Sequence, residues 1–319
     1  MGQAALSQIG FPLKPVPPFR LDLTVWTLRR RPDNAVDRWD GQTYRRVLSL
    51  DSRAVEVAVG QTRPPEMPRL QIQVRGAQLG PGVSPAVRLA LERLLGLRVD
   101  LSDFYRFVSQ EADLELLVRR FRGMRPPRFL TVFESLVNGI ACQQVTLTLG
   151  IRLLNRLAET FGLAIGEGDP PAHAFPRPED LAGLGREALR PLGFSQQKAQ
   201  ALIELARAAS EGRLGLEGLA HESDEVVRDR LCQLRGVGRW TAEYVLLRGL
   251  GRLHVFPGDD VGARNNLRRW LGLTEPLDYE GVRRTLARWR AYAGLIYFHL
   301  LLDRLAEAGT LGIEEQFRP

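Results

Sequence analysis

Two adjacent carboxylates, Asp259 and Asp260, stand at the end of Pro257-Gly-Asp-Asp, directly before a stretch with Leu267 and Leu271 on one helical face. An aspartate in that place caps the helix through its side-chain oxygen. It can also face a cleft, where a fixed carboxylate stabilises developing positive charge and orients or deprotonates a water. Upstream lies Gly236-Val237-Gly238. Glycines permit positive φ and close backbone approach, so the turn can be a plain helical hairpin. Its N–H groups, with the helix starting near Arg239, also make a ready anion site. Trp240 and Tyr244 are one turn apart and share a face, suited to core packing or to stacking on a flat ligand.

Two helical patterns meet at this turn, making a helix-hairpin-helix over about 223–250, and the carboxylates open the next helix. Before them, helices are expected at about 84–97, 101–109, 112–121, 129–141, 145–161, 179–182, 186–191 and 195–210, with a Pro/Gly-rich loop at 165–178. Ser84 reads as an N-cap with Pro85 at the first helical position. After the carboxylates come helices at 260–271, 279–288 and 291–307. The N-terminal part differs. Residues 1–18, with prolines at 12, 15, 17 and 18, read as an extended lead-in. From Phe19 to Arg75 the period is two: Leu21, Leu23 and Val25, then Val55, Val57 and Val59, then Leu70, Ile72 and Val74. These are half-buried strands. The fold class is therefore α+β, an N-terminal antiparallel sheet domain (1–83) followed by a larger all-helical body (84–319).

Composition narrows the chemistry. The net charge of +7 and the pI near 10.0 suit an anionic partner such as nucleic acid. Of 44 basic residues only Lys14 and Lys198 are lysines, so a mechanism needing an amine has two candidates. Cys142 and Cys232 are too few for an Fe–S cluster or a four-thiolate zinc site, and the four histidines lack metal-ligand spacing. No apolar run reaches membrane-spanning length and no secretory signal is recognisable, so no membrane contact is expected. Two cysteines suit a reducing, cytoplasmic setting, and a monomer at the nucleoid is the expectation.

Several motifs occur in order: Phe133-Glu-Ser-Leu-Val-Asn-Gly-Ile-Ala-Cys-Gln-Gln-Val, Phe175-Pro-Arg-Pro-Glu-Asp-Leu-Ala, Leu192-Gly-Phe-Ser-Gln-Gln-Lys-Ala and Gly236-Val-Gly-Arg-Trp-Thr-Ala. With them, roughly 129–300 resembles the helix-hairpin-helix (HhH-GPD) DNA glycosylase superfamily, closest to the bacterial 3-methyladenine-DNA glycosylase II type. The resemblance implies double-stranded DNA with damaged bases as partner and Asp260 as the catalytic aspartate. It implies a base pocket of Trp240, Tyr244 and Phe298, with Tyr297 an alternative to the last and core packing the other reading of Phe298. Gln144 in the Cys142-Gln-Gln-Val break would be the wedge that fills the hole left by a flipped base, or only part of a helix-helix turn. Gly236, Val237, Gly238, Arg239 and Arg264 would contact DNA. The carbonyls of Cys232, Leu234 and Val237 would hold a sodium or potassium ion, with no cofactor needed for catalysis. Arg235 replaces a proline common in the family. Bifunctional members carry a lysine where this chain has Trp240, and Lys198 matches a surface position, so monofunctional excision of alkylated purines is expected. Alternatives are an oxidised- or deaminated-base glycosylase and a non-catalytic helix-hairpin-helix DNA-binding protein. Arginines at 119–128, 268 and 269 read as phosphate contacts or as solvated or paired faces.

Overall fold

Alternating apolar side chains over Val55–Val59 and Leu70–Val74 build the centre of a five-stranded antiparallel sheet in the computed structural model, which describes residues 6–166 and 171–311. The first five residues of the lead-in and residues 167–170 of the Pro/Gly-rich loop lie outside the described residues. The strands are β1 (Ser7–Leu13), β2 (Arg38–Trp39), β3 (Thr43–Leu50), β4 (Arg53–Gln61) and β5 (Leu70–Gly76), ordered β1-β5-β4-β3-β2. Val57 faces Val74 and Val59 faces Ile72, so the alternating side chains of both strands enter one core.

Two expectations are corrected here. Ser7–Leu13 of the proline-rich lead-in form a strand, with Ile9 opposite Val74 and Pro12 opposite Gln71. β1 lies at the sheet edge, where a missing N–H costs no ladder bond. Leu21, Leu23 and Val25 are not a strand but the start of helix α1 (Leu21–Arg29). Leu21, Val25 and Leu28 pack on the sheet, while Leu23 and Trp26 enter a helical core on the other side. A helix buried all round loses its one-sided pattern, and an accidental period of two remained.

Helix α2 (Val83–Leu94) is capped by Gly82, so Ser84 lies inside the first turn rather than at the cap. It buries Val87, Leu91 and Leu94 in the sheet core. Then come α3 (Ser102–Val108), α4 (Ala112–Arg120), α5 (Val132–Cys142) and α6 (Leu147–Phe161). The loop that follows holds a small ribbon, β6 (Ala164–Ile165) with β7 (Ala172–His173). The remaining helices are α7 (Pro178–Ala182), α8 (Gln196–Ser210), α9 (Asp224–Cys232), α10 (Arg239–Arg248), α11 (Val261–Trp270), α12 (Tyr279–Thr285) and α13 (Ala293–Glu307). None of these is long and apolar enough to cross a membrane.

The helices form two cores, one around α5, α6 and α8, the other around α3, α4, α11 and α13. Helix α10 runs between them, giving Val245 and Leu246 to the first and Leu247 to the second. Its N-terminal turn therefore opens at the seam. The sheet is tied to this body by Arg46 of β3, which is 1% exposed. Its guanidinium bonds Asp37 at 2.8 Å and Glu134 of α5 at 2.6 Å. Desolvating three charges is costly, and their mutual hydrogen bonds offset that cost.

Candidate functional site

Helix α9 starts at Ser223, whose hydroxyl accepts from Val226 N–H, and ends at a turn over Gln233–Gly238. Gly236 has φ +75, and a Cβ there would lie 2.9 Å from Cβ of Ala201. Glycine is required on both counts. Val237 points inward with Val227 and Leu231, leaving Gly236, Gly238 and Arg239 exposed. The Leu234 carbonyl accepts from Val237 N–H, whereas those of Cys232 and Val237 accept no hydrogen bond across the turn. Three neutral oxygens with spare lone pairs are a donor set that fits a hard monovalent cation.

Asp260 divides its two oxygens between two tasks. Oδ1 accepts from Ala263 N–H at 2.9 Å and caps α11. Oδ2 faces Trp240 Nε1–H at 3.3 Å and the Tyr297 hydroxyl at 3.4 Å. The loop that delivers it is anchored by Glu243 of α10, which accepts from Gly258 N–H at 3.1 Å and from the Tyr279 hydroxyl at 2.6 Å. Burial raises the Glu243 pKa, and those two bonds partly counter it. Burial and the Glu243 carboxylate push the Tyr279 phenol up to about 12. A Cβ on Gly258 would sit 2.7 Å from the Tyr279 ring, so the loop can pack here only with glycine. Asp259 turns the other way, accepting from Arg239 Nε at 2.7 Å, and Arg239 lies over the Tyr279 ring at 3.7 Å.

These groups open on a cleft of about 1290 Å³ lined by Trp240, Tyr244, Tyr297, Asp260, Gln144 and Arg30 among others. Trp240 and Tyr244 stack with ring centroids 5.5 Å apart and planes 30° apart. Phe298, expected in the pocket, is instead fully buried beneath Arg248 and does not line the cleft. Its neighbour Tyr297 takes that place, because successive side chains on α13 point about 100° apart. Gln144 is exposed at the mouth with φ 52, a left-handed conformation unusual for glutamine. Gln143 beside it donates to Gly236 O and to Thr241 Oγ1, both at 2.7 Å, clamping the α5–α6 turn to the hairpin.

Lys198, expected at a surface-type position, is half-buried and does not line the cleft. Its Nζ donates to Ala141 O at 2.9 Å and Gln143 O at 2.7 Å, and burial lowers its pKa. Arg264 is half-buried on α11 and stands outside the cleft lining. In the arginine-rich stretch, Arg120 pairs with Asp303, Arg125 bonds the carbonyls of Val16 and Pro17, and Arg128 bonds that of Gly249. Those three are structural. Arg30, Gln143 and Glu243 went unread in the sequence. Only Glu243 left a signal, a lone acid inside the apolar run of α10.

A family model described as "HhH-GPD superfamily base excision DNA repair protein" matches residues 137–291. The chain is 33% identical over 177 residues to YfjP of Bacillus subtilis (strain 168), provisionally named a DNA-3-methyladenine glycosylase; the match covers 56% of this chain but only 60% of that relative. It is 28% identical over 285 residues to DNA-3-methyladenine glycosylase 2 of Escherichia coli (strain K12), covering 89% and 94% of the two chains. Among solved structures, a 3-methyladenine DNA-glycosylase from Archaeoglobus fulgidus superposes with a TM-score of 0.79 at 28% identity, covering 92% and 98%.

Proposed function

We propose that this chain, whose residues 137–291 match the model of the HhH-GPD superfamily of base excision DNA repair proteins, is a monofunctional DNA glycosylase releasing alkylated purines of the 3-methyladenine type. One observation carries this reading: Oδ2 of Asp260 faces the cleft beside the stacked Trp240 and Tyr244 while Oδ1 caps α11. The carboxylate is thereby held in place before any substrate arrives.

Damaged duplex binds with its phosphate backbone against the exposed Gly236–Gly238 turn, whose N–H groups and helix start favour an anion. The Cys232, Leu234 and Val237 carbonyls would hold a sodium or potassium ion there, supplying positive charge toward the phosphate. Gln144 enters the duplex, fills the gap and hydrogen-bonds the orphaned base, while the damaged base stands in the cleft. A cationic purine stacks on the Trp240 indole, an attraction of about 0.5–2 kcal/mol. As the N-glycosidic bond lengthens, positive charge grows on the sugar and Asp260 stabilises it, then receives the proton of the attacking water. The cationic base leaves as a neutral molecule, so this step requires no second acid.

Trp240 occupies the hairpin-helix position that a Schiff-base mechanism would assign to lysine, and the Lys198 ammonium is committed to two carbonyls. Base release without strand cleavage follows. A panel of duplexes carrying single alkylated, oxidised or deaminated bases, scored for base release by the wild type and Asp260→Asn, tests the assignment. Equal release by the two proteins would leave a non-catalytic DNA binder. Release confined to oxidised or deaminated bases would move the substrate class.

A further inference from the structure

A buried guanidinium from the N-terminal part of the chain, Arg30, lines the cleft. Arg30 ends α1 in a left-handed conformation, φ 62 and ψ −24, which carries a steric cost for any residue with a Cβ. The turn directs its side chain inward: Arg30 is 5% exposed, lines the cleft and lies over the Phe129 ring at 5.7 Å. Nη1 donates to the Tyr244 hydroxyl and Nη2 to Asn138 Oδ1, both at 2.8 Å. Asn138 donates its own Nδ2–H to Glu134 O, which keeps its oxygen turned toward Arg30. Both partners are neutral, and Arg30 Nε has no partner among the described residues.

A second buried guanidinium, Arg248, lies 5.7 Å from the Tyr244 ring centroid and, among the described residues, bonds only the carbonyls of Thr27 and Leu28. Tyr244 thus accepts from a cation and sits beside another. Its oxygen is engaged by Arg30, so its own hydrogen must point elsewhere, and no acceptor for it occurs among the described residues. The open direction for that hydrogen is the cleft that Tyr244 lines. Donation from a guanidinium polarises a phenol and strengthens it as a donor in turn.

We propose that Arg30 is a specificity-determining positioning residue, which turns the Tyr244 O–H toward an acceptor atom of an uncharged flipped base and so lets the site release neutral damaged purines as well as cationic ones. The proposal rests on the glycosylase reading above. When the C1′–N bond of a neutral purine breaks, its electron pair stays on the base, which leaves as an anion. Water bonds C1′ and gives its proton to Asp260, and the departed base takes a proton from solvent. The Tyr244 hydrogen bond, backed by the Arg30 charge, stabilises the anion as it forms. A cationic purine needs no such help.

The experiment uses the full chain and two duplexes, one with a single hypoxanthine (neutral, acceptors at O6 and N7) and one with a single 7-methylguanine (cationic). Single-turnover base release is measured for wild type, Tyr244→Phe, Arg30→Met and Arg30→Lys. The expected result is that Tyr244→Phe and Arg30→Met lower the hypoxanthine-to-methylguanine rate ratio at least tenfold, with Arg30→Lys intermediate. Tyr244→Phe keeps the ring and its stacking, so it tests the idea even where Arg30→Met folds poorly. Parallel losses on both bases, or an unchanged ratio, would overturn the proposal. Release of methylguanine without hypoxanthine by the wild type would overturn it alone; release of neither, with no release from any duplex of the lesion panel, would overturn the glycosylase reading itself.

Discussion

Trp240 Nε1 lies 3.3 Å from Asp260 Oδ2, the carboxylate oxygen that takes no part in capping α11. This separates the structural role of Asp260 from its proposed chemical one. Asp260→Asn keeps an oxygen for the cap, and asparagine caps as well as aspartate. Its melting temperature should stay within about 2 °C of wild type. Base release should fall at least ~100-fold, equivalent to about 2.7 kcal/mol of transition-state stabilisation. A variant that melts normally and retains full rate would reduce Asp260 to a cap. Trp240→Phe, which keeps a ring but removes the donor, should cost roughly tenfold or less.

The absence of a free amine at the hairpin can be tested directly. Borohydride added during turnover should trap no protein–DNA adduct, and product strands should break only after alkali. Cleavage without alkali by a lyase-free preparation would contradict the monofunctional reading.

Gly258 is where the carboxylate loop has least room. Gly258→Ala places a methyl 2.7 Å from the Tyr279 ring, so either the ring or the loop must move. A shift of the loop carries Asp260 with it, and small misplacements in a reacting geometry are expensive. We expect base release to drop tenfold or more, together with a destabilisation of about 1–3 kcal/mol read from a denaturant melt. Full activity in Gly258→Ala would show that the Glu243–Tyr279 anchor does not position Asp260.

Lys198 and Gln143 hold the turn that presents Gln144. Lys198→Met removes the ammonium from two carbonyls near the end of α5, costing about 1–3 kcal/mol of stability. The same variant should weaken binding to lesion duplex in fluorescence anisotropy, because Gln144 is then less well oriented. Unchanged affinity in Lys198→Met would separate the lysine from the wedge.

His299 provides a pH signature. Buried between Phe104 and Phe121, with its Nδ1 at Leu295 O, it has its pKa pushed down by burial to about 4. The unfolded chain titrates this group near 6.5. Below that pH the unfolded state binds more protons than the folded one, so stability is lost as pH falls from about 6.5 to 4. The full span corresponds to about 3 kcal/mol. Glu243 and Glu134, whose pKa values burial raises above 4.5, act in the opposite direction, gaining stability as pH falls from those raised values to about 4.5. Comparison with His299→Phe isolates the histidine: its stability should fall less steeply between pH 6.5 and 4, by about one proton. Identical slopes in the two proteins would rule out this role for His299.

The hairpin and the capping aspartate were legible from residue order alone, because both depend on local rules. Glycine is needed where φ is positive, and an aspartate before an amphipathic run caps it. The strands β4 and β5 were legible for the same reason, since Val55, Val57 and Val59, like Leu70, Ile72 and Val74, recur at every second residue and enter one core. Local rules failed where two cores share an element. α1 is apolar on both sides and imitated a strand, and β1 owes its conformation to pairing with β5, sixty residues away. At the site, the sequence brought Asp260, Trp240 and Tyr244 close through one hairpin and its following loop. It gave no sign that Arg30 of α1 would reach Tyr244, 214 residues later, and it left open whether Tyr297 or Phe298 would face Asp260. Those choices depend on how α1 and α13 are rotated against α10, and rotation is set by packing volumes from distant segments. Tertiary structure alone decided that the Arg30 guanidinium lines the cleft.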